Sequence, residues 1–252
     1  MKDIVLNGLM AAADLLLPRT CIGCGARLLR SERHICLSCM TDMPLTRFWS
    51  VSHNPMADRF NELIQKEMEE EREPYAFAAA LFFYNSEAGY RHIPYQIKYH
   101  GNTDAGVFFG KMLGKKMATE ALWADVGMIV PVPLHWTRRW KRGYNQAEVI
   151  ASAIATETGV PIRTDILKRR RRTRTQTKLD IEDKARNVAG AFSVSDDAAM
   201  IYRNGGNVHH ILLIDDVFTT GSTLYACFAA LRTVFPPGVR ISVATLGFVG
   251  GG

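Results

Sequence analysis

Ile211-Leu-Leu-Ile-Asp215-Asp216-Val-Phe-Thr219-Thr220-Gly221-Ser222-Thr223 reads in order as a strand, an acidic pair, a loop of small residues and the start of a helix. Four apolar residues fit a short buried strand, and the hydroxyl-rich segment sits where backbone N–H groups open a helix at Ser222. Such an end holds phosphate. Free N–H groups and the positive end of the helix dipole attract the anion, Gly221 permits close backbone approach, and Thr219, Thr220, Ser222 and Thr223 add donors. Asp215 and Asp216 would repel a phosphate, so they point to ribose hydroxyls, a divalent cation such as Mg²⁺, or both. An Asx turn with a capped helix explains one capping group, but not two acids followed by four hydroxyl residues and a glycine. The metal-holding strand of a P-loop nucleotidase would need G-x-x-x-x-G-K-[ST] upstream. The nearest strings, Gly106-Val-Phe-Phe-Gly110-Lys111 and Gly110-Lys-Met-Leu-Gly114-Lys115, are one residue short and lack the following Ser or Thr.

This run resembles the phosphoribosyl-pyrophosphate (PRPP) motif of type I phosphoribosyltransferases, in order and in length. The resemblance implies that Asp215 and Asp216 bind the ribose 2′ and 3′ hydroxyls, and that Thr219, Thr220, Gly221, Ser222 and Thr223 bind the 5′ phosphate.

Around that motif, 252 residues with 47% apolar composition suffice for one α/β domain and a small appendage. Strands are expected at 75–84, 127–132, 209–214 and 239–248, and helices at 87–98, 104–121, 145–158 and 222–234. The alternation predicts an α/β fold, a mostly parallel sheet with helices on both faces, and a ligand site beyond the carboxyl ends of its strands. Residues 76–252 form the expected phosphoribosyltransferase-like domain. Residues 49–75 read as a helical linker, in which Phe60, Leu63, Ile64 and Met68 recur at helical spacing before Pro74. The acidic run 67–73 is the solvated face of that helix. Residues 4–17 are apolar but contain Asn7 and Asp14, lack a cleavage site and are too short to span a bilayer. They read as an amphipathic helix, which leaves the cytoplasm as the expected location.

Residues 1–48 contain the other organised feature. Cys21-x-x-Cys24 and Cys36-x-x-Cys39 are two knuckles separated by eleven residues, a spacing that brings four thiolates onto one tetrahedral ion. Structural Zn²⁺ is the expected metal, because so small a module cannot hold itself together by a core alone. Two disulfides do not suit a reducing compartment, and a redox dithiol explains one knuckle rather than both; an iron–sulfur cluster uses the same four thiolates. Cys227 lies in the apolar pattern of a helix and reads as core.

Two basic segments remain. Residues 133–146, Pro-Leu-His135-Trp136-Thr-Arg138-Arg139-Trp140-Lys141-Arg142-Gly143-Tyr144-Asn145-Gln146, read as a loop carrying four positive charges, placed to face the motif. It is either an unremarkable basic loop or the counter-charge for a departing pyrophosphate. Lys168-Arg169-Arg170-Arg171-Arg172-Thr173-Arg174 places six cations in seven residues. So dense a run, against a net charge of +6 for the whole chain, suits a phosphate-rich partner. In a complex with single-stranded DNA, Arg169, Arg170, Arg171 and Arg172 would track the backbone while Trp136, Trp140 or Tyr144 stacked bases.

The double knuckle, Gln96-Ile-Lys98-Tyr99-His100-Gly101, Val130-Pro-Val-Pro133-Leu, Arg142-Gly-Tyr-Asn145-Gln146, Thr173-x-x-Gln176, Arg186-Asn187 and the acidic motif are together similar to the ComF family. That resemblance implies a phosphoribosyltransferase-like protein of natural competence that handles incoming single-stranded DNA. It also implies that Thr173, Gln176, Arg186 and Asn187 form a flexible hood over PRPP and Mg²⁺. If transfer occurs, Asp215 and Asp216 orient the ribose while Arg139 and Arg142 stabilise the leaving pyrophosphate. Two other functions fit: a salvage phosphoribosyltransferase acting on a free base with no DNA role, and a non-catalytic PRPP-sensing adaptor. In the adaptor, the zinc module would recruit a partner; in the competence reading, that partner belongs to the uptake machinery.

Overall fold

The computed structural model describes residues 18–68, 73–85, 89–169, 190–196, 200 and 208–250. A parallel sheet organises them. Its strands are β1 (Ala78–Phe83), β2 (Met128–Pro131), β5 (His210–Ile214), the two-residue β6 (Val217–Phe218) and β7 (Arg240–Phe248). The spatial order is β1-β7-β5-β2, with β6 paired to the end of β7. The register sets Met128 beside Ile211 and Leu213 beside Val243. A short antiparallel pair, β3 (Leu167–Arg169) and β4 (Phe192–Val194), stands apart from the sheet. The α/β class and the mostly parallel sheet match the sequence reading.

Strand residues alternate between two buried layers, as period-two side chains must. Ile211, Leu213, Ile241 and Val243 share one layer with Phe60, Phe228 and Leu231, while Leu212, Ile214, Ala244 and Leu246 share the other with Phe109, Leu113, Ile150 and Ile154. The segment expected as a helical linker supplies a helix to the first layer. After α1 (Leu37–Thr41) comes α2 (Pro55–Glu67), capped by Asn54 and led by Pro55, with Met56, Ala57 and Phe60 fully buried. The second layer holds α3 (His92–Tyr99), α4 (Thr103–Ala118) and, after α5 (Trp136–Arg142), α6 (Gln146–Thr158). The first layer is completed by α7 (Ser222–Arg232).

The strings that imitate a short phosphate loop lie inside α4. Gly106, Gly110 and Gly114 form a stripe against α6, and a Cβ on Gly110 would come 2.8 Å from Ala153 Cβ and 3.1 Å from the Ile150 carbonyl. Their absent side chains let the two helices meet.

At the amino end of the sheet, His210 links Asp125 to Ser242 through Nδ1 and Nε2, each at 2.7 Å. The order imitates a hydrolase triad, but Ser242 is fully buried and its Oγ also accepts the Phe77 N–H at 2.9 Å. It pins strand starts together. Among the described residues, no helix is long and apolar enough to cross a membrane.

Candidate functional site

After β2 the chain moves outward, where Ile162 bridges Ile129 in parallel; after β5 it turns back toward β7 and β1. The switch point therefore lies between the carboxyl ends of β2 and β5, where open parallel sheets leave a crevice. Both sequence-predicted segments emerge there.

From β5, Asp216 N–H donates to Asp215 Oδ1 and Val217 N–H to Asp216 Oδ1, each at 2.9 Å. The Asp216 carbonyl accepts from Leu246 and Gly247, so the acidic pair is held against the end of β7. Asp216 is buried, and its Oδ2 lies 2.7 Å from Lys98 Nζ on α3. Burial, then the Asp216 charge, push the Asp215 carboxyl up to about 7 against the pull of Lys98. Burial lowers the Lys98 pKa, but the attraction of Asp216 outweighs it and holds the ammonium above its usual value. Two carboxyl groups share one ammonium's charge here, and a divalent ion taking oxygen ligands suits that donor set.

The motif loop follows. Gly221 has φ +80°, and a Cβ there would come 2.7 Å from the Phe218 ring and 2.8 Å from Leu63. Only glycine fits. It precedes α7, whose first-turn N–H groups lack intrahelical acceptors. Thr220 and Ser222 hydroxyls lie 2.9 Å apart, and Arg59 on α2 donates to the Thr219 carbonyl at 3.3 Å. Thr219 is exposed and Thr223 half-buried.

The basic segment from β2 is partly a helix, a correction to its reading as a loop. His135 caps α5, which ends at Gly143 with φ +84°. Tyr144 donates from its hydroxyl to the Ile97 carbonyl, joining this segment to α3. Buried Asn145 donates to the Val132 carbonyl at 3.0 Å and caps α6. The Arg142-Gly-Tyr-Asn-Gln motif thus fixes α5 over the switch point.

Lys98, Tyr99, Gly101, Arg138, Lys141, Arg142 and Tyr144 line a cleft of about 420 Å³. Arg142 donates to Gln146 and lies over the Tyr99 ring at 5.5 Å. Arg139 turns elsewhere, 3.2 Å from Glu148 in a neighbouring hollow of about 360 Å³. Lys98, Arg138 and Lys141 are the cleft cations that sequence reasoning did not assign; the available signal was Lys98 inside the Gln96–Gly101 motif.

Arg169 is half-buried with its guanidinium 5.1 Å over Phe192. Burial and the Arg138 charge depress its pKa while Cys227 and Asp215 oppose that, so Arg169 belongs electrically to the switch-point side. Arg170, Arg171, Arg172, Thr173, Gln176, Arg186 and Asn187 lie outside the described residues, as does the segment 4–17.

The four knuckle cysteines come together. Their Sγ atoms all lie within 4.8 Å of one another, and could hold a metal ion. Cys36 N–H points at Cys21 Sγ (3.3 Å) and Cys39 N–H at Cys36 Sγ (3.5 Å), contacts that favour thiolates. Burial raises the Cys21 thiol, but backbone donors led by Cys24 and Cys36 bring it down to about 7. Zinc takes this donor set. His34 instead faces the Phe108 ring at 5.5 Å. The module also touches the turn just before α3: Tyr90 donates to the Cys39 carbonyl at 3.1 Å, and a Cβ on Gly89 would overlap the Gly23 carbonyl.

No protein-family model matches the chain. It is 38% identical over 104 residues to Competence protein F of Haemophilus influenzae, covering 41% of this chain and 43% of that protein. It is 33% identical over 96 residues to DNA utilization protein YhgH of Salmonella typhimurium, covering 38% and 39%. With Competence protein ComFC of Bacillus subtilis it shares 30% identity over 118 residues, covering 47% and 42%. The matched stretches span about two fifths of these curated relatives. Over these stretches the chain is similar to competence and DNA utilization proteins.

Proposed function

We propose that this protein binds PRPP with Mg²⁺ at the β2/β5 switch point and assists the handling of single-stranded DNA during DNA uptake. The observation that carries the reading is the Lys98–Asp216 pair, 2.7 Å long, which joins the acidic pair to the four-cation cleft. That pair sets the acidic motif, which runs on into the start of α7, against a cluster of cations that would counter a pyrophosphate. PRPP carries ribose hydroxyls, a 5′ phosphate and a pyrophosphate on one sugar. Asp215 and Asp216 would hold the ribose hydroxyls, and Thr219, Thr220, Gly221, Ser222 and Thr223 the 5′ phosphate. Mg²⁺ would supply positive charge between the carboxyl pair and the pyrophosphate. Arg142, Arg138, Lys141 and Lys98 suit the pyrophosphate side; Arg139 supports α5 through Glu148. The uptake role is supported by the names of the relatives, competence proteins and DNA utilization proteins.

Zinc at Cys21, Cys24, Cys36 and Cys39 completes the reading as a structural ion, with partner binding by that module in the uptake machinery. Calorimetric titration with PRPP and Mg²⁺ tests the site. The parent should bind, the Asp215→Ala/Asp216→Ala variant should not, and equal binding by both would refute the ribose assignment. Pyrophosphate release on adding candidate acceptors reads catalysis separately.

A further inference from the structure

Beside the cleft stands a row of aromatic rings that the PRPP reading does not use. Tyr95 and Tyr99 lie four residues apart on one face of α3, 49% and 64% exposed, with ring centroids 5.0 Å apart. His100, also exposed, sits 5.1 Å from Tyr95. On the cleft side, Arg142 covers Tyr99 at 5.5 Å. The rings run as neighbours from His100 through Tyr95 to Tyr99, which Arg142 covers at the edge of the cleft cations.

Exposed rings beside concentrated positive charge suit a ligand that carries both planar rings and anionic groups. A carboxylate-rich peptide would satisfy the cations but leave the rings bare. A lipid surface would call for a broad apolar face, and this one is a narrow row on a single helix. A single nucleic-acid strand supplies both, with bases for the rings and phosphates for the cleft. Trp136 and Trp140 are more exposed, 71% and 88%, but they stand on the face of α5 turned away from Arg138, Lys141 and Arg142.

We propose that Tyr95, Tyr99 and His100 form a stacking lip for single-stranded DNA whose phosphates enter the Lys98–Arg138–Lys141–Arg142 cleft, so that the strand and PRPP exclude one another. This rests on the proposed PRPP site, whose pyrophosphate needs the same cations.

The test is fluorescence anisotropy of a labelled oligothymidylate at low salt with the full chain, run beside PRPP calorimetry. Tyr95→Ala should lose about tenfold in strand affinity, equivalent to about 1.4 kcal/mol, with an unchanged melting temperature. Tyr95→Phe should keep parental affinity, because stacking needs the ring and not the hydroxyl. Saturating PRPP with Mg²⁺ should displace the oligonucleotide. Parental strand affinity in Tyr95→Ala, or a strand that stays bound under saturating PRPP, overturns the proposal. Competition by thymidine monophosphate as effective as by the oligomer also overturns it, since the lip would then serve a mononucleotide. A chain that binds PRPP but no strand refutes the lip and spares the PRPP site; one that binds strand but not PRPP refutes mutual exclusion and the PRPP site together.

Discussion

Asp215→Asn should make the ligand-free protein more stable near neutral pH while removing its affinity for PRPP with Mg²⁺. The substitution takes away one of two adjacent carboxylates and keeps an oxygen to accept the Asp216 N–H. Its magnitude follows from the carboxyl shift. Asp215 is raised from 3.8 to about 7, chiefly by burial and then by Asp216. A group whose pKa is raised on folding favours the folded state below its unfolded value, and that contribution is lost as pH rises through the folded one. Ionised Asp215 therefore costs at most about 4 kcal/mol above pH 7, at 1.36 kcal/mol per unit. Since Asp215 keeps some solvent contact, a recovery of about half that ceiling is expected, which for a chain of this size raises Tm by roughly 4–8 °C. Melting curves of parent and variant should diverge most above about pH 7, and the gap should narrow as pH falls, closing only below about pH 4, where the unfolded carboxyl also takes up its proton. Equal melting temperatures at the alkaline end, or a gap that widens in acid, would refute the electrostatic account.

Replacing Lys98 with Met should destabilise the chain by about 3 kcal/mol at neutral pH, the lower end for a broken buried pair because Lys98 keeps 30% exposure. Denaturant melts should show the deficit shrinking in acid as the carboxyl pair protonates, and calorimetry should show weaker PRPP binding. Gly110→Leu should cost roughly 3 kcal/mol or fail to fold, since even a Cβ overlaps Ala153; Gly238→Ala, where nothing lies within 4 Å, is the control for the same melt. Cys24→Ser should lose the bound zinc, read as metal per chain by elemental analysis of protein purified in reductant, and lower the melting temperature.

The sheet and the acidic motif were legible because their signals are local. An apolar run, two acids and a glycine with no room for a side chain all sit within thirteen residues, 211–223. The basic helix α5 was not, since its seven residues carry four cations and two outward tryptophans, with no buried stripe to mark a period. Lys98 could not be assigned for a different reason. Its meaning lies in a contact with Asp216, a distant residue, and only the fold supplies that. Arg169, read as one of a run that would track a nucleic-acid backbone, lies over Phe192, a contact between distant residues that no charge run discloses. The short β3–β4 pair left no trace because three-residue strands are too brief to alternate.

The knuckle that abuts Gly89 and Tyr90 would give a metal held there a second consequence beyond holding its own module together. Those two residues begin the turn that leads directly into α3, and α3 carries both Lys98 and the Tyr95–Tyr99 row. If an ion at one end of this segment and a ligand at the other shift α3, each would have to change the equilibrium affinity of the other by the same factor. The ion's equilibrium affinity, measured by competition with a chelator, would then gauge what sits in the cleft without labelling the ligand.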